Sequence, residues 1–89
     1  PEELRLLLGN YWLAPAQADF KVFYENGILA LNDPLAKKVV KLYKQADNDL
    51  WKDEFGNNKV EFVKNSNGEV IRMIIYSSIY LNKIKNLQL

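Results

Sequence analysis

Turn signals recur along this chain at short intervals, and that rhythm limits its folds more than any other feature. Asn26-Gly27, Gly56-Asn57-Asn58, Asn65-Ser66-Asn67-Gly68 and, more weakly, Ser77-Ser78 interrupt short stretches of alternating character. Phe20, Val22 and Tyr24 alternate with Lys21 and Phe23 before Asn26-Gly27, and Ile28 to Leu31 resume after it. Period-two alternation broken by Asn-Gly is the strongest short-range hairpin signal, because both turn residues there take positive φ. Turns spaced about every 8 to 12 residues between short strands predict an antiparallel meander. Closure into a barrel is the expected outcome, since open edges invite aggregation.

Two segments depart from this rhythm. PEELRLLLGN carries Pro1 and two acids in front and Gly9 behind, the asymmetry of a short helix. Leu4, Leu7 and Leu8 share one helical face, so about two turns lying against the domain are expected. NDPLAKKVVKLYKQADNDL is divided. Asp33-Pro34 reads as an N-cap with a first-turn proline, and Leu35, Val39, Leu42 and Ala46 follow helical spacing. The β-branched pair Val39-Val40, and the alternation of Val40 and Leu42 with Lys41, argue for a strand. Local chemistry alone favours the helix.

The 89 residues suffice for one domain, expected to span 1–89, and a chain of this size buries roughly 60–65% of its unfolded surface. An apolar fraction of 48% with eleven aromatics supplies a core and argues against disorder. Twelve basic residues against eleven acidic ones leave a net charge of +1, unlike the strong basic excess of nucleic-acid binders. Without cysteine there is no disulfide framework and no thiolate metal site. There is no signal peptide and no apolar run of about 18 residues, so no membrane span is expected. A first residue of proline rather than methionine fits a processed chain or a fragment.

Catalytic residue types are scarce. The chain has no His, Cys or Thr, and serine only at positions 66, 77 and 78, so Ser–His and Cys–His nucleophiles are impossible within it. Asp19, Glu25, Asp33, Glu61 and Glu69 are scattered through turns or beside lysines rather than paired. DNDLWKDEFGN, from Asp47, resembles a calcium loop, yet Lys52 and Asn58 stand where such a loop needs glycine and glutamate. A solvated polar turn is the simpler reading. Trp12, Phe23, Tyr24, Trp51 and Tyr76 could line a cavity or stack on bases, but aromatics at period two are more often core. KKVVKLYK reads as a solvated lysine face. No catalytic, cofactor or metal residues are expected, and no cofactor.

VEFVKNSNGEVIRMII, residues 60–75, is a hairpin with an arginine inside an apolar strand. A turn centred on Ser66-Asn67 sets Lys64 opposite Glu69, Val63 opposite Val70, Phe62 opposite Ile71, Glu61 opposite Arg72 and Val60 opposite Met73. Both charged pairs are then opposite in sign, at about 0.2–1 kcal/mol per pair. A tight Asn67-Gly68 turn instead sets Lys64 against Ile71 and Val63 against Arg72. Charge matching favours the first register.

These stretches together resemble a family. LLGNYW, with Gly9 and Tyr11, is similar to the G-x-Y opening of the lipocalin-like C-terminal accessory domain of serine beta-lactamase-like hydrolases, relatives of the penicillin-binding proteins. FKVFYENGILAL resembles its second and third strands, with Glu25 and Gly27 before Leu29. KLYKQADNDLW resembles the following strand pair, and VEFVKNSNGEVIRMII the next hairpin. Asn82-Lys83-Ile84 resembles the closing strand. The likeness runs from Leu4 to Ile84, with Lys44 where a proline is common and Ser77-Ser78 in place of a glycine turn.

The resemblance implies a mainly β fold, a small antiparallel lipocalin-like barrel of about eight short strands with the short N-terminal helix. It turns the divided segment to strand at Lys38–Tyr43. It also implies a noncatalytic domain of an exported bacterial protein, periplasmic or extracellular, with its catalytic hydrolase domain in the same polypeptide. Its work would be to pack on that domain, shape the active-site entrance or mediate homo-oligomer contacts. The alternative is a stand-alone barrel holding a small apolar ligand. Eight strands can either hold one or fill with side chains, and filling is expected in so short a chain.

Overall fold

The computed structural model describes residues 2–45, 50–56 and 59–86. Eight strands follow one another along the described chain: β1 (Gly9–Leu13), β2 (Ala18–Glu25), β3 (Ile28–Asp33), β4 (Lys38–Lys44), β5 (Leu50–Asp53), β6 (Lys59–Lys64), β7 (Val70–Ile75) and β8 (Ile79–Asn86). Each pairs antiparallel with the next, and β8 pairs with β1, so the meander closes into a barrel. Period two decides which side chains point inward. In β2, Ala18, Phe20 and Val22 are buried while Asp19 and Lys21 are exposed; in β4, Val40 and Leu42 are buried between exposed neighbours.

An eight-stranded barrel has an interior just wide enough for side chains to fill. Here Tyr11, Phe20, Phe62, Met73, Leu29, Leu42 and Leu81 fill it. The Tyr11 and Phe62 rings lie 6.0 Å apart, tilted by 59°, within the range of favourable aromatic pairs.

The N-terminal helix of two turns is not formed. Only α1 (Glu2–Arg5), a single turn, is helical, and it continues as tight turns in which Leu7 N–H donates to Leu4 C=O and Leu8 N–H to Arg5 C=O. Leu7 and Leu8 are both buried, and Leu4 packs against the same core. Two adjacent leucines enter the core together and Gly9 already belongs to β1, which leaves no length for a second turn.

The divided segment is strand at Lys38–Lys44. Its capping signal is real but local. Asp33 Oδ1 accepts from Leu35 N–H at 2.9 Å and Ala36 N–H at 3.0 Å, and Lys37 leaves the turn at φ +56°. Strand pairing with β3 then buries Val40 and Leu42 against Leu31 and Leu29, a burial that an isolated helix could not match. At Asn26-Gly27 the reading holds, with φ of +53° and +81° joining Glu25 to Ile28.

The charge-matched register of the 60–75 hairpin is overturned. Val60 pairs with Ile75, Glu61 with Ile74, Phe62 with Met73 and Val63 with Arg72, while Lys64 pairs with Val70. Ile71 is thus an extra, bulged residue. The turn decides this register. Asn65 Oδ1 accepts from the N–H groups of Asn67 and Glu69, its Nδ2 donates to Glu69 Oε1, and Gly68 takes φ +81°. That is a three-residue loop with glycine in the left-handed position. Its bonds outweigh two exposed charge pairs. Arg72 donates from Nε to Asn82 Oδ1 at 3.2 Å rather than pairing with Glu61.

Two substitutions separate these causes. Asn65→Ala is expected to cost about 1–2 kcal/mol in urea unfolding, because it strips two backbone donors of their acceptor. Glu61→Gln should change stability by less than about 0.5 kcal/mol even at low salt; a larger loss would restore Glu61 as a partner of the hairpin.

Candidate functional site

One end of the barrel is closed by the segment leading into β1. Tyr11, fully buried, donates from its hydroxyl to Leu7 C=O at 2.7 Å. Lys83 follows Ile79 and Leu81 on the inward positions of β8, where its ammonium donates to Leu6 C=O at 2.9 Å and lies 5.8 Å from the Tyr11 ring centre. Two successive carbonyls of the entering chain are thereby capped, Leu7 by the buried Tyr11 and Leu6 by Lys83 at the exposed rim of the barrel. Burial raises the pKa of the Tyr11 hydroxyl well above its ordinary value and lowers that of Lys83.

Gly9 makes the close approach possible. A Cβ at this position would stand 2.1 Å from Lys85 C=O and 2.7 Å from Lys83 Cε, and the backbone is at φ +153°. The Gly-x-Tyr pattern therefore has a local cause: glycine lets β1 meet β8, and the tyrosine two residues on points inward to hold the turn.

Beside this closure lies a groove of about 470 Å³, lined by Leu6, Val70, Ile71 and Ile84 with Lys83, Lys85 and Glu69 among the polar lining residues. Two neighbouring bulges build it. Ile71 is the unpaired residue of β7, and Ile84 is skipped where Asn10 pairs with Lys85 and Tyr11 with Lys83. Each bulge keeps the inward alternation on both sides and turns one isoleucine outward, so Ile71 and Ile84 are exposed at 39% and 58%. Bulges that re-aim side chains are frequent at binding sites. The same outer wall continues with Trp12, Tyr80, and the hydrogen-bonded pair Arg72–Asn82.

The residues singled out in the sequence scatter. Trp51 is core, Tyr24 packs on it, and Trp12 and Tyr76 are exposed. Phe23 is half-buried outside with Lys21 Nζ over its ring at 5.8 Å. Of the loop resembling a calcium site, Asp47, Asn48, Asp49 and Asn58 lie outside the described residues. Asp53 is buried and accepts from Phe55 N–H at 3.1 Å, and Glu54 accepts from Lys41 N–H at 3.4 Å. Among the described residues no group of three or more His, Cys, Asp or Glu could hold a metal ion. No helix among them is long and apolar enough to cross a membrane. Sequence reading passed over Lys83. The signal was a lysine in phase with Ile79 and Leu81.

Comparison with protein-family models, curated proteins and solved structures found no match in any of the three.

Gly9→Ala should destabilise the barrel by about 3 kcal/mol or more, since backbone has to move apart. Tyr11→Phe leaves the Leu7 carbonyl without its partner and should cost about 1–3 kcal/mol by chemical denaturation. The same tyrosine sets an alkaline limit. Its folded pKa is raised, so its contribution is complete below the ordinary tyrosine value of about 10 and is lost as pH rises beyond it. Lys83 has the opposite sign: its lowered pKa makes stability rise as pH climbs toward about 10.4. Melting curves from pH 8 to 12 should show a fall above about pH 10 that is smaller in Tyr11→Phe.

Proposed function

We propose that this chain is a noncatalytic, lipocalin-like accessory barrel that packs on the catalytic domain of an exported bacterial serine hydrolase of the beta-lactamase-like type. The observation that carries the packing role is the outer wall of β1, β7 and β8. Trp12, Ile71, Tyr80 and Ile84 are exposed on it around the Arg72–Asn82 pair. Aromatic, isoleucine and arginine side chains gathered on one face have the composition of an interface core. A filled interior supports a scaffold role over a carrier role, because the space a ligand would use is occupied by Tyr11, Phe62 and Met73. The identity of the partner comes from the Gly9–Tyr11 opening and the strand patterns that resemble the family.

A second reading rests on the groove. Its isoleucine floor and lysine flank suit a small apolar ligand with an anionic end, held on the outside of the wall rather than within the barrel.

Titration calorimetry against the catalytic domain of the parent polypeptide distinguishes the two. Trp12→Ala and Ile84→Asp should each weaken association at least about tenfold while the melting midpoint stays within a few degrees, as for central interface residues. Association that ignores both substitutions would remove the packing role. Saturable, stoichiometric uptake of a fluorescent hydrophobic probe, lost in Ile84→Asp, would favour the ligand reading instead.

A further inference from the structure

On the wall of β4, β5 and β6 two local rules are broken within one row of residues. Tyr43 pairs with Lys52, and Lys52 pairs with Lys59, across β4, β5 and β6. Tyr76, the first residue after β7, continues the row by donating its N–H to Lys59 C=O at 3.0 Å. Like charges directly opposite in antiparallel strands are destabilising, and neither Lys52 nor Lys59 makes an ion pair among the described residues. The second breach is at Tyr76-Ser77, with φ of +54° and +62°. A bulky residue in the left-handed region is an outlier, in a loop position where glycine or asparagine would be at ease.

Both breaches present the same kind of surface. Trp51 and Val60 are buried beside them, so Lys52 and Lys59 face outward, between tyrosines exposed at 44% and 53%. At the usual strand spacing of about 4.8 Å the row is about 14 Å long. Of the acids described on these strands and their turns, Asp53 is buried, Glu54 takes the Lys41 N–H, and Glu61 occupies the next outward position on β6, opposite Leu50. Unpaired cations between exposed flat rings match a strand of alternating phosphates and bases. The cations track the backbone and the rings stack on bases without reading sequence.

We propose that Tyr43, Lys52, Lys59 and Tyr76 form a shallow platform for single-stranded nucleic acid, with two phosphates at the lysines and a base on each tyrosine. The overall charge of +1 limits the platform to this short contact; it does not bear on where the charge lies. The site is independent of the packing wall and of the hydrolase reading.

The test uses the whole chain and a short fluorescent oligothymidylate, followed by anisotropy across a salt series. Two phosphate contacts give a slope of log affinity against log salt of about −1.4. Tyr43→Ala should weaken binding roughly tenfold, as for loss of one stacked base. Lys52→Glu should abolish binding and yet raise the melting midpoint by a few degrees, because it turns a repulsive pair into an attractive one. Tyr76→Asn should likewise lose affinity and gain stability, since asparagine tolerates its backbone conformation. Gain of stability with loss of ligand is an outcome that a purely structural role does not produce. The proposal is overturned if the unmodified chain fails to bind, if Lys52→Glu binds as well as before, or if an oligoglutamate peptide binds as tightly as the oligonucleotide.

Discussion

Everything else in this barrel depends on how β1 meets β8. A meander of eight strands is stable as a barrel only if its first and last strands pair, and here that pairing passes through a backbone contact too close for any Cβ at Gly9. The closure is also where the chain enters, so the carbonyls of Leu6 and Leu7 would be left without partners at the barrel end. Tyr11 supplies one partner from within and Lys83 the other from the barrel rim. Burying the Tyr11 phenol, and partly desolvating the Lys83 ammonium, has a cost visible in the direction of both pKa shifts, and each group offsets it with a short hydrogen bond. One glycine, the inward Tyr11 and the rim Lys83 thus allow seventeen buried residues among those described to form a single core.

That closure also shapes the outer surface. The extra residue in β8 falls beside the closure and the extra residue in β7 falls beside the turn of the 65–68 loop, and both are isoleucines. Each bulge is needed to keep the inward series in phase: Val70 and Met73 both point inward although three positions apart. The apolar groove is therefore a product of the same geometry that seals the core. The lysine row lies on another wall and has no such structural cause, since Lys52 and Lys59 contribute repulsion rather than cohesion.

The hairpin at 60–75 shows which local energies prevail. Two exposed charge pairs favour one register by tenths of a kcal/mol to about 1 kcal/mol each. An asparagine that caps two N–H groups, a glycine at positive φ and a Phe62–Met73 pair inside the core favour another. The two registers differ by two residues along Val60–Val63, so Val60, Phe62 and Met73 face the core in both, and Val70 and Ile71 exchange sides at the bulge. Both exchanged residues are apolar, so hydrophobic alternation could not separate the registers. Arg72 then belongs to the outer wall with Asn82, a residue in the next strand that no hairpin-level reasoning reaches.

Sequence by itself determined where the turns fall and, in β2, the facing of the side chains. Asn26-Gly27, Asn65–Gly68 and the alternation within each strand are local matters of φ and of period two, and they amount to a closed antiparallel meander. It also singled out Gly9 and Tyr11, and the structure gives each a local role at the closure. Only the tertiary structure decided whether Lys38–Lys44 is strand, because the capping by Asp33 is equally satisfied in one turn and the deciding burial comes from β3 and the core. It alone shortened the N-terminal helix, set the bulges at Ile71 and Ile84, and brought Lys83 to a carbonyl 77 residues away in the chain. It also aligned Lys52 with Lys59 between two tyrosines. These are contacts between residues distant in sequence, and their free energy has no counterpart in the pattern of any one segment.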